Sequence, residues 1–579
     1  AYDYTNLAQK EMKTACTFYT YDSVQDTYNP ITKVAKGELM EKTQPYYKTT
    51  QQYSLNYKNT FNDLHDVEAL ALWEWKETNT NWFMARRYYS TTSAIPELDR
   101  GDVDNMYNEG NSAVYKYGGL VGRLNYVYAG KYMAEFSFRY DGSYKTAPDK
   151  RWGFFPAVSA GWRISEEQFM KDLVPQMDNL KLRASWGSIG NDSQLNASQF
   201  VSGWQFEDRF ILGGAGNSSA SITNGMKEAN LANPNITWYK VMTTNVGLDG
   251  SFWGGKLSFE FDYFYRKTTG YPATRNTSLP TTSGIPLPQE NLNSSDNRGF
   301  ELSLGTVQRI GNVNLQIKGN VAYAREKDLY KEQALPLNQY KNWRDNGAYR
   351  WKNVTWGYEH IGQFQSYDEI YNSPIQDGKG NSSLRPGDIK YKDLNGDGLI
   401  DANDEKVIGK GTFPDLNFGL TLAADWKGFD VNILFQGASN YTQVLNALTS
   451  PFRGPGEGNG FRVWMDSWHK ADYNDPDSEW VPGKFPSLRI EGNDNNSKKS
   501  TYWTTDAYYV RLKSIEIGYT IPKNLLSKVG IEHLRVYANA YNPLTITNVK
   551  YTDPEAIEGW QSFYYPQLKV YSFGVNVSF

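Results

Sequence analysis

Apolar and polar residues alternate along much of the chain, in runs of about ten positions. In YMAEFSFRYD (132–141) the even-numbered positions from Tyr132 to Tyr140 are apolar or aromatic, and Glu135, Ser137 and Arg139 lie between them. LSFEFDYFYR (257–266) and the final YSFGVNVSF (571–579) repeat the pattern. This period predicts β-strands with one apolar face, and about ten residues is the length that a tilted strand needs to cross a bilayer.

Alternation alone is also compatible with a soluble β-sandwich. Three further features favour a transmembrane antiparallel β-barrel: charges on the polar face of many strands, aromatic residues near strand ends, and Phe579 as the last residue of an alternating strand. Roughly sixteen alternating runs can be counted along the chain. The fold class predicted for residues 1–579 is therefore all-β, a transmembrane barrel with long extracellular loops.

Connection lengths give an independent indication. Short turns are predicted at 129–131, 254–255, 310–311 and 427–428, and long loops at 79–117, 190–239, 269–296, 326–353, 363–414 and 441–504. Short turns on one rim and long loops on the other are typical of outer-membrane barrels. One run, YVRLKSIEIGY (509–519), changes phase, which predicts a β-bulge near Ser514.

Composition narrows the class further. The mean hydropathy of −0.65 and the lack of long apolar runs argue against membrane-spanning helices, but barrel strands have low average hydropathy. Aromatic residues make up 15% of the 579 residues, which suits contact with lipid headgroups or sugars. The formal net charge of −4 offers no basic surface for nucleic acid, and one cysteine excludes an internal disulfide.

Enzyme chemistry is not indicated. The carboxylate pairs Glu166/Glu167 and Asp404/Glu405 are sequence neighbours, which does not place them on opposite sides of a scissile bond. The four histidines are scattered, without the spacing of a metal site. No catalytic residues are predicted.

Five segments carry a family resemblance: GLVGRLNYVYAGKYMAEFSFRYDGSYK (119–145), RWGFFPAVSAGWRISEE (151–167), LKLRASWGSIGN (180–191), NPNITWYKVMTTNVGLDGSF (233–252) and YYVRLKSIEIGYTIPKNLL (508–526). In this order and at this spacing they resemble the barrel of SusC/RagA family TonB-dependent outer-membrane transporters, from residue 118 to Phe579. The resemblance implies a location in the outer membrane of a Gram-negative bacterium.

The resemblance also implies a barrel of about 22 strands with a plugged lumen. It implies a SusD-like surface lipoprotein and TonB as partners, and import of large ligands, oligosaccharides first and peptides as the alternative. We find no TonB box or plug in the sequence and no signal peptide at its start. We therefore expect residues 1–579 to be the C-terminal barrel portion of such a transporter.

A single dense carboxylate cluster, DLNGDGLIDAND (393–404), fits a twelve-residue calcium loop. The predicted ligands are Asp393, Asn395, Asp397, the Leu399 carbonyl, Asp401 through water, and Asp404. Gly398 occupies the position of the sharp turn. The expected role is structural, in an extracellular loop. The alternative is a cluster of Asx turns without an ion.

Two other functions stay open at this stage. One is a surface β-protein, braced by calcium, that binds glycans without transport; the other is a passive diffusion porin. Trp204, Trp343, Trp464 and Trp468 are candidate ligand contacts, although packing is the favoured interpretation for each, and substrate-binding residues stay unassigned.

Overall fold

The computed structural model describes residues 1–22, 25–34, 36–89, 95–104, 106–197, 199–212, 221–275, 287–445, 448, 461–489, 493–526, 530–556, 565 and 567–579. Strands dominate these residues, and the helices are short. The strands are β1 (Tyr2–Lys13), β2 (Cys16–Asp22), β3 (Thr27–Val34), β4 (Gly37–Phe61), β5 (His65–Tyr89), β6 (Tyr107–Tyr128), β7 (Tyr132–Ser143), β8 (Trp152–Arg163), β9 (Met177–Asn191), β10 (Gly203–Leu212), β11 (Ser221–Asn230), β12 (Tyr239–Phe252), β13 (Leu257–Thr274), β14 (Gln289–Ile310), β15 (Val313–Tyr330), β16 (Val354–Gly357), β17 (His360–Gln363), β18 (Ile389–Tyr391), β19 (Lys406–Lys410), β20 (Leu416–Trp426), β21 (Phe429–Val444), β22 (His469–Lys470), β23 (Trp480–Val481), β24 (Thr504–Thr520), β25 (His533–Thr547) and β26 (Val570–Ser578). The helices are α1 (Gln168–Leu173), α2 (Gln339–Asp345), α3 (Tyr367–Tyr371), α4 (Asp494–Ser497) and α5 (Lys523–Leu526).

Sixteen strands form one antiparallel sheet in the order β1-β4-β5-β6-β7-β8-β9-β12-β13-β14-β15-β20-β21-β24-β25-β26. Each strand pairs with the sheet strand that precedes it in the chain, so the topology is up-and-down. The other ten strands pair two by two within the connections. The sequence-based predictions of an all-β fold and of roughly sixteen strands are confirmed.

The apolar face of this sheet is exposed. Phe261, Tyr263 and Leu304 lie on it with 40%, 48% and 48% of their surface accessible. On β15 the apolar face runs from Val313 to Tyr323, and these residues lie opposite Trp426 and Leu416 of β20. The run is about 33 Å long and rises about 25 Å at the tilt of barrel strands, which matches the apolar band of outer-membrane barrels.

Within the described ranges, no helix is both long and apolar enough to span a bilayer.

Tight turns join the strands at one end of the sheet, as predicted. Lys427 and Gly428 connect β20 to β21 with φ of 47° and 88°, the conformation of a two-residue type I′ hairpin turn. Ala129 and Gly130 connect β6 to β7 with φ of 52° and 67°. Since successive strands are antiparallel, the connections predicted to be long all lie at the other end, here called the outer rim. Two connections at the turn end are longer than tight turns: 164–176, which contains α1, and 521–532, which contains α5.

Several strands extend further towards the outer rim than the sequence indicates. The predicted loop 79–117 is largely strand, because β5 continues to Tyr89 and β6 starts at Tyr107; the predicted loop 269–296 is shortened in the same way by β13 and β14. Beyond the lipid neither face needs apolar residues, so alternation stops while backbone pairing continues. The predicted loops 326–353 and 363–414 are parts of one connection, 331–415.

The predicted bulge is present at Lys513. In the pairing of β21 with β24, Leu434 lies opposite Ser514 and Phe435 opposite Leu512, so Lys513 has no partner. The pairing of β24 with β25 shifts at the same place. The extra residue restores the phase of the alternation, one position before the predicted site.

Candidate functional site

The polar face of the sheet carries ion pairs that span neighbouring strands. Arg183 of β9 lies 2.7 Å from Asp249 of β12 and 3.0 Å from Asp262 of β13. Each of the three guanidinium nitrogens donates to a carboxylate, so one cation bridges carboxylates on two strands. Arg535 of β25 bridges Asp430 and Glu516 in the same manner. This is the charged inner wall that the alternation predicted.

At the outer rim, the connections 331–415 and 445–503 fold together into one unit. Their shared apolar core consists of Ile389, Tyr391, Ile400, Leu448, Trp464, Phe485 and Trp503. Trp464 and Trp468 are each 5% exposed, so they act in packing. Trp343 and Trp204 are 55% and 65% exposed and remain accessible to a ligand. We call the unit formed by connections 331–415 and 445–503 the loop core.

A buried ion pair joins the two halves of the loop core. The Asp388 carboxylate is fully buried, and the Arg489 guanidinium, 5% exposed, donates to both of its oxygens. The side-chain amides of Asn496 and Asn493 donate to the same carboxylate at 2.8 and 3.1 Å. The charge is therefore paired and hydrogen-bonded, as a buried carboxylate requires.

The acidic loop 393–404 is held by hydrogen bonds to its own backbone. Asp393 accepts from the N–H groups of Gly396 at 2.7 Å and Gly398 at 2.9 Å. Both glycines have positive φ, 76° and 80°, which lets the chain wrap around the carboxylate. Asn395 accepts from the N–H of Asp397 at 3.0 Å. These are Asx turns, the conformation that the alternative interpretation predicts.

The second half of the loop is closed by Asp404, which is fully buried. One of its oxygens accepts from the N–H of Leu394 at 2.8 Å, and the other from the N–H of Asp401 at 2.9 Å. Asp401 in turn accepts from the N–H of Asn403 at 2.6 Å, which forms a capping box. Asp404 therefore ties the two ends of the loop together.

The residues predicted as calcium ligands lie in these turns, and bound calcium stays a prediction. Leu399 is anchored by a parallel bridge to Ile375, and its N–H donates to Asp397 at 2.9 Å. In the part of the chain that the structure describes, no three acidic, histidine or cysteine side chains are grouped as a metal site requires. The oxygen donors are of the right chemical type, but the side chains lie in their hydrogen-bonded turns.

A cavity of about 1230 Å³ lies beside the acidic loop, between the outer end of β15, helix α2 and the pair β16/β19. Its walls are aromatic and cationic, and include Trp343, Trp351, Trp356 and Arg344. Arg344 lies 2.6 Å from Asp345 and 2.7 Å from Glu405, so its charge is neutralised. The accessible aromatic faces of the cavity include Trp343 and Tyr349, which are 55% and 73% exposed.

The sequence analysis missed Trp351, Trp356 and Tyr349 in this cavity. All three lie in the run WRDNGAYRWKNVTW (343–356), where an aromatic residue recurs every few positions. That density is a usable signal for a ligand surface, because strands facing lipid show strict alternation and this segment does not.

Lys498 is a half-buried cation within the loop core. Burial lowers the pKa of its ammonium group below the ordinary value, although the carboxylates of Asp377 and Asp404 act in the opposite direction. Its Nζ donates to the Gln376 carbonyl at 2.8 Å and lies 5.1 Å from the centre of the Tyr358 ring. Lys498 therefore links helix α4 to the segment around Gln376 and Tyr358 within the loop core.

The sheet, its exposed apolar face and its charged inner wall define the class as an outer-membrane β-barrel protein. Residues 2–543 match the family described as TonB dependent receptor-like, beta-barrel, and the chain belongs to that family. The outer-membrane location predicted from the sequence is confirmed by this membership, and the family is one of transport proteins rather than enzymes.

The relatives confirm the resemblance to the SusC/RagA family. TonB-dependent receptor P3 of Formosa agariphila is 28% identical, over 98% of this chain and 56% of the relative. TonB-dependent receptor SusC of Bacteroides thetaiotaomicron is 26% identical, over 79% of this chain and 43% of the relative. The RagAB peptide importer in its open-open state has a similar fold, with a TM-score of 0.76 and 21% identity, over 100% of this chain and 58% of that chain. The chain spans about half the length of the curated relatives it matches.

Proposed function

We propose that residues 1–579 are the C-terminal barrel portion of an importer that carries large nutrients across the outer membrane. The family membership and the relatives named as TonB-dependent receptors support this role. The main structural support for this role is the arrangement of two features along the strands. The sheet has a charged inner wall, formed in part by β9, β12 and β13, and its outer end carries the folded loop core with the aromatic cavity.

The imported ligand is an oligosaccharide in this proposal. Flat, accessible rings at the cavity suit the apolar faces of sugars, and Trp343 and Tyr349 are 55% and 73% exposed. The cavity of about 1230 Å³ exceeds what a small metabolite needs. Peptides are the alternative, because a structural neighbour is described as a peptide importer.

A binding experiment on the protein purified from outer membranes separates the two ligand classes. We expect neutral oligosaccharides to bind and the substitution Trp343→Ala to weaken binding by up to about tenfold, since a stacked ring contributes about 0.5–1.5 kcal/mol. Trp204→Ala is the matched control, because Trp204 is 65% exposed on another outer-rim segment. Binding of peptides alone would contradict the oligosaccharide assignment. Equal loss in both variants would contradict the assignment of the cavity as the binding site.

The proposal includes two partners, a SusD-like surface lipoprotein over the outer rim and TonB on the periplasmic side. The named relatives support both, since one is SusC and the structural neighbours are RagAB assemblies. Affinity purification of the tagged protein from its native membrane is expected to recover a lipoprotein in equal amount. Recovery without any lipoprotein, while nutrient uptake still depends on the protein, would remove that partner from the mechanism.

We further propose that the acidic loop binds Ca²⁺ as a structural ion. Asp393, Asn395, Asp397, Asp401 and Asp404 and the Leu399 carbonyl supply hard oxygens at the spacing of a calcium loop. Bound calcium would neutralise the loop carboxylates and hold the segment against the loop core. The loop is already shaped for an ion by its own residues. Gly396 and Gly398 have positive φ, and the hydrogen bonds of Asp404 bring the two ends of the loop together.

Terbium luminescence and calcium competition on the purified protein test this second proposal. Asp393→Asn combined with Asp397→Asn should weaken ion binding more than tenfold, because two carboxylate ligands lose their charge. Asp475→Asn is the control, since Asp475 also forms an Asx turn at the outer rim, accepting from the N–H of Asp477 at 2.9 Å. If the unaltered protein binds no ion, the loop is an Asx-turn cluster only.

A further inference from the structure

Three cations surround one indole ring near the outer end of β15. The guanidinium carbon of Arg325 lies 4.4 Å from the centre of the Trp351 ring, that of Arg298 5.7 Å and the ammonium nitrogen of Lys327 5.8 Å. Trp351 is held in place by an antiparallel bridge to Lys327. We call these four residues the Trp351 cluster.

The Trp351 cluster lies on the lipid-facing side of the sheet. On β15 the lipid-facing residues occupy the odd positions from Val313 to Tyr323, and Arg325 and Lys327 continue the same parity. Arg298 is paired with Arg325 from β14, just beyond the aromatic pair Phe300 and Tyr323. The cluster therefore begins one residue pair beyond the apolar band, at the level of the lipid headgroups.

The cluster holds more positive charge than its acidic neighbours neutralise. Arg298 and Arg325 are directly opposite on adjacent strands, an arrangement of like charges that destabilises a sheet. Asp296 pairs with Arg298 at 2.6 Å, and Asp415 lies 3.6 Å from Arg325. Within the described ranges Lys327 forms no ion pair with a carboxylate. An external anion would relieve this repulsion.

We propose that the Trp351 cluster binds the phosphate group of an outer-leaflet lipid. A phosphate carries enough charge to bridge several cations, and guanidinium groups match its oxygens in bidentate geometry. The exposed edge of Trp351, a residue type enriched at membrane interfaces, places the site beside the acyl chains. Arg325 and Trp351 also line the cavity described above, but Arg298 and Lys327 do not, so substitutions at Arg298 and Lys327 test the lipid site without changing the cavity lining.

Lipid retention tests the proposal. The protein is purified from outer membranes in mild detergent and washed, and its bound phosphorus-containing lipid is measured by native mass spectrometry and phosphorus assay. The variants are Lys327→Gln alone and combined with Arg298→Gln. Lys318→Gln is the control, because it removes the same charge from the opposite face of β15, next to the lipid-facing Ile317.

We expect retention to fall about fivefold in Lys327→Gln and about thirtyfold in the double variant, with the control unchanged. The single variant keeps the test valid if the loss of Arg298, the partner of Asp296, impairs folding. Equal retention in all four proteins, or an equal fall in the control, would overturn the proposal. Binding of inorganic phosphate without any retained lipid would also overturn it, because the site would then be a free-phosphate site.

Discussion

Replacement of Arg489 by methionine should open the loop core without unfolding the sheet. Arg489 is 5% exposed and the Asp388 carboxylate is fully buried, so the substitution leaves a buried charge without its cation. Removing one partner of a buried ion pair costs about 3–5 kcal/mol. The amides of Asn493 and Asn496 and the N–H of Arg385 still donate to Asp388, which places the expected loss near the lower limit.

A loss of about 3 kcal/mol raises the population of the opened loop core roughly a hundredfold. Hydrogen exchange measured by mass spectrometry should show faster exchange in peptides covering 384–400 and 485–503, with unchanged exchange in β20 and β21. Lys392→Met is the matched control within the loop core: its partner Glu359 lies 3.6 Å away and the lysine is 51% exposed, so the loss should stay below about 1 kcal/mol.

A second variant separates charge from packing. Asp388→Asn in the Arg489→Met background removes the unpaired charge and should restore part of the lost protection. If Arg489→Met exchanges at the rate of the unaltered protein, the buried pair does not stabilise the loop core and the reasoning fails.

Three further predictions concern single positions. Gly428→Ala should lower the stability of the purified protein by about 1–2 kcal/mol, because its φ is 88° and the new Cβ would lie 2.8 Å from the Thr520 carbonyl oxygen. Gly255→Ala is the control: its φ is 78°, but no atom lies within 4 Å of the new Cβ, so the loss of stability in the same melting assay should be smaller. Burial alone would raise the pKa of Asp377, but hydrogen-bond donors from residues 379–383 outweigh burial and hold that pKa below its ordinary value. The ionised carboxylate should therefore stabilise the loop core at pH values above the ordinary pKa of aspartate, and this stabilisation should disappear as the pH falls through the lowered pKa. Proteolysis of the loop core with the same pH dependence in Asp377→Asn would contradict this. Asp404→Ala leaves the backbone N–H groups of Leu394, Asn395 and Asp401 without this acceptor and should destabilise the acidic loop by about 1–3 kcal/mol with or without calcium, which hydrogen exchange of 393–404 would show.

Local chemistry made the sheet predictable from sequence. The alternation in β7 and β13 follows from two different solvents, lipid and water, on the two faces of one strand. The turn at Lys427 and Gly428 and the bulge beside Ser514 are also encoded within a few residues. Beyond the lipid this signal disappears, so the outer parts of β5 and β6 could not be identified, although their backbones stay paired.

The candidate site depends on contacts that no local pattern records. Trp351 reaches its cations only because residues 350–352 pair with the end of β15, across a connection without regular alternation. The spacing of Asp393, Asn395 and Asp397 was readable, but the burial of Asp404 and its hydrogen bonds to Leu394 depend on the folded loop core. Sequence therefore indicated ligand types at the outer rim, and tertiary packing decided their positions.

The buried pair of Asp388 and Arg489 also has a consequence for the order of assembly. The two residues are 101 positions apart, and the chain crosses the membrane twice between them, through β20 and β21. The loop core can therefore close only after both strands have been inserted and the second connection has reached the cell surface. Contacts of such long sequence separation form late in folding. Resistance of the loop core to external protease would thus report that these two strands have been inserted.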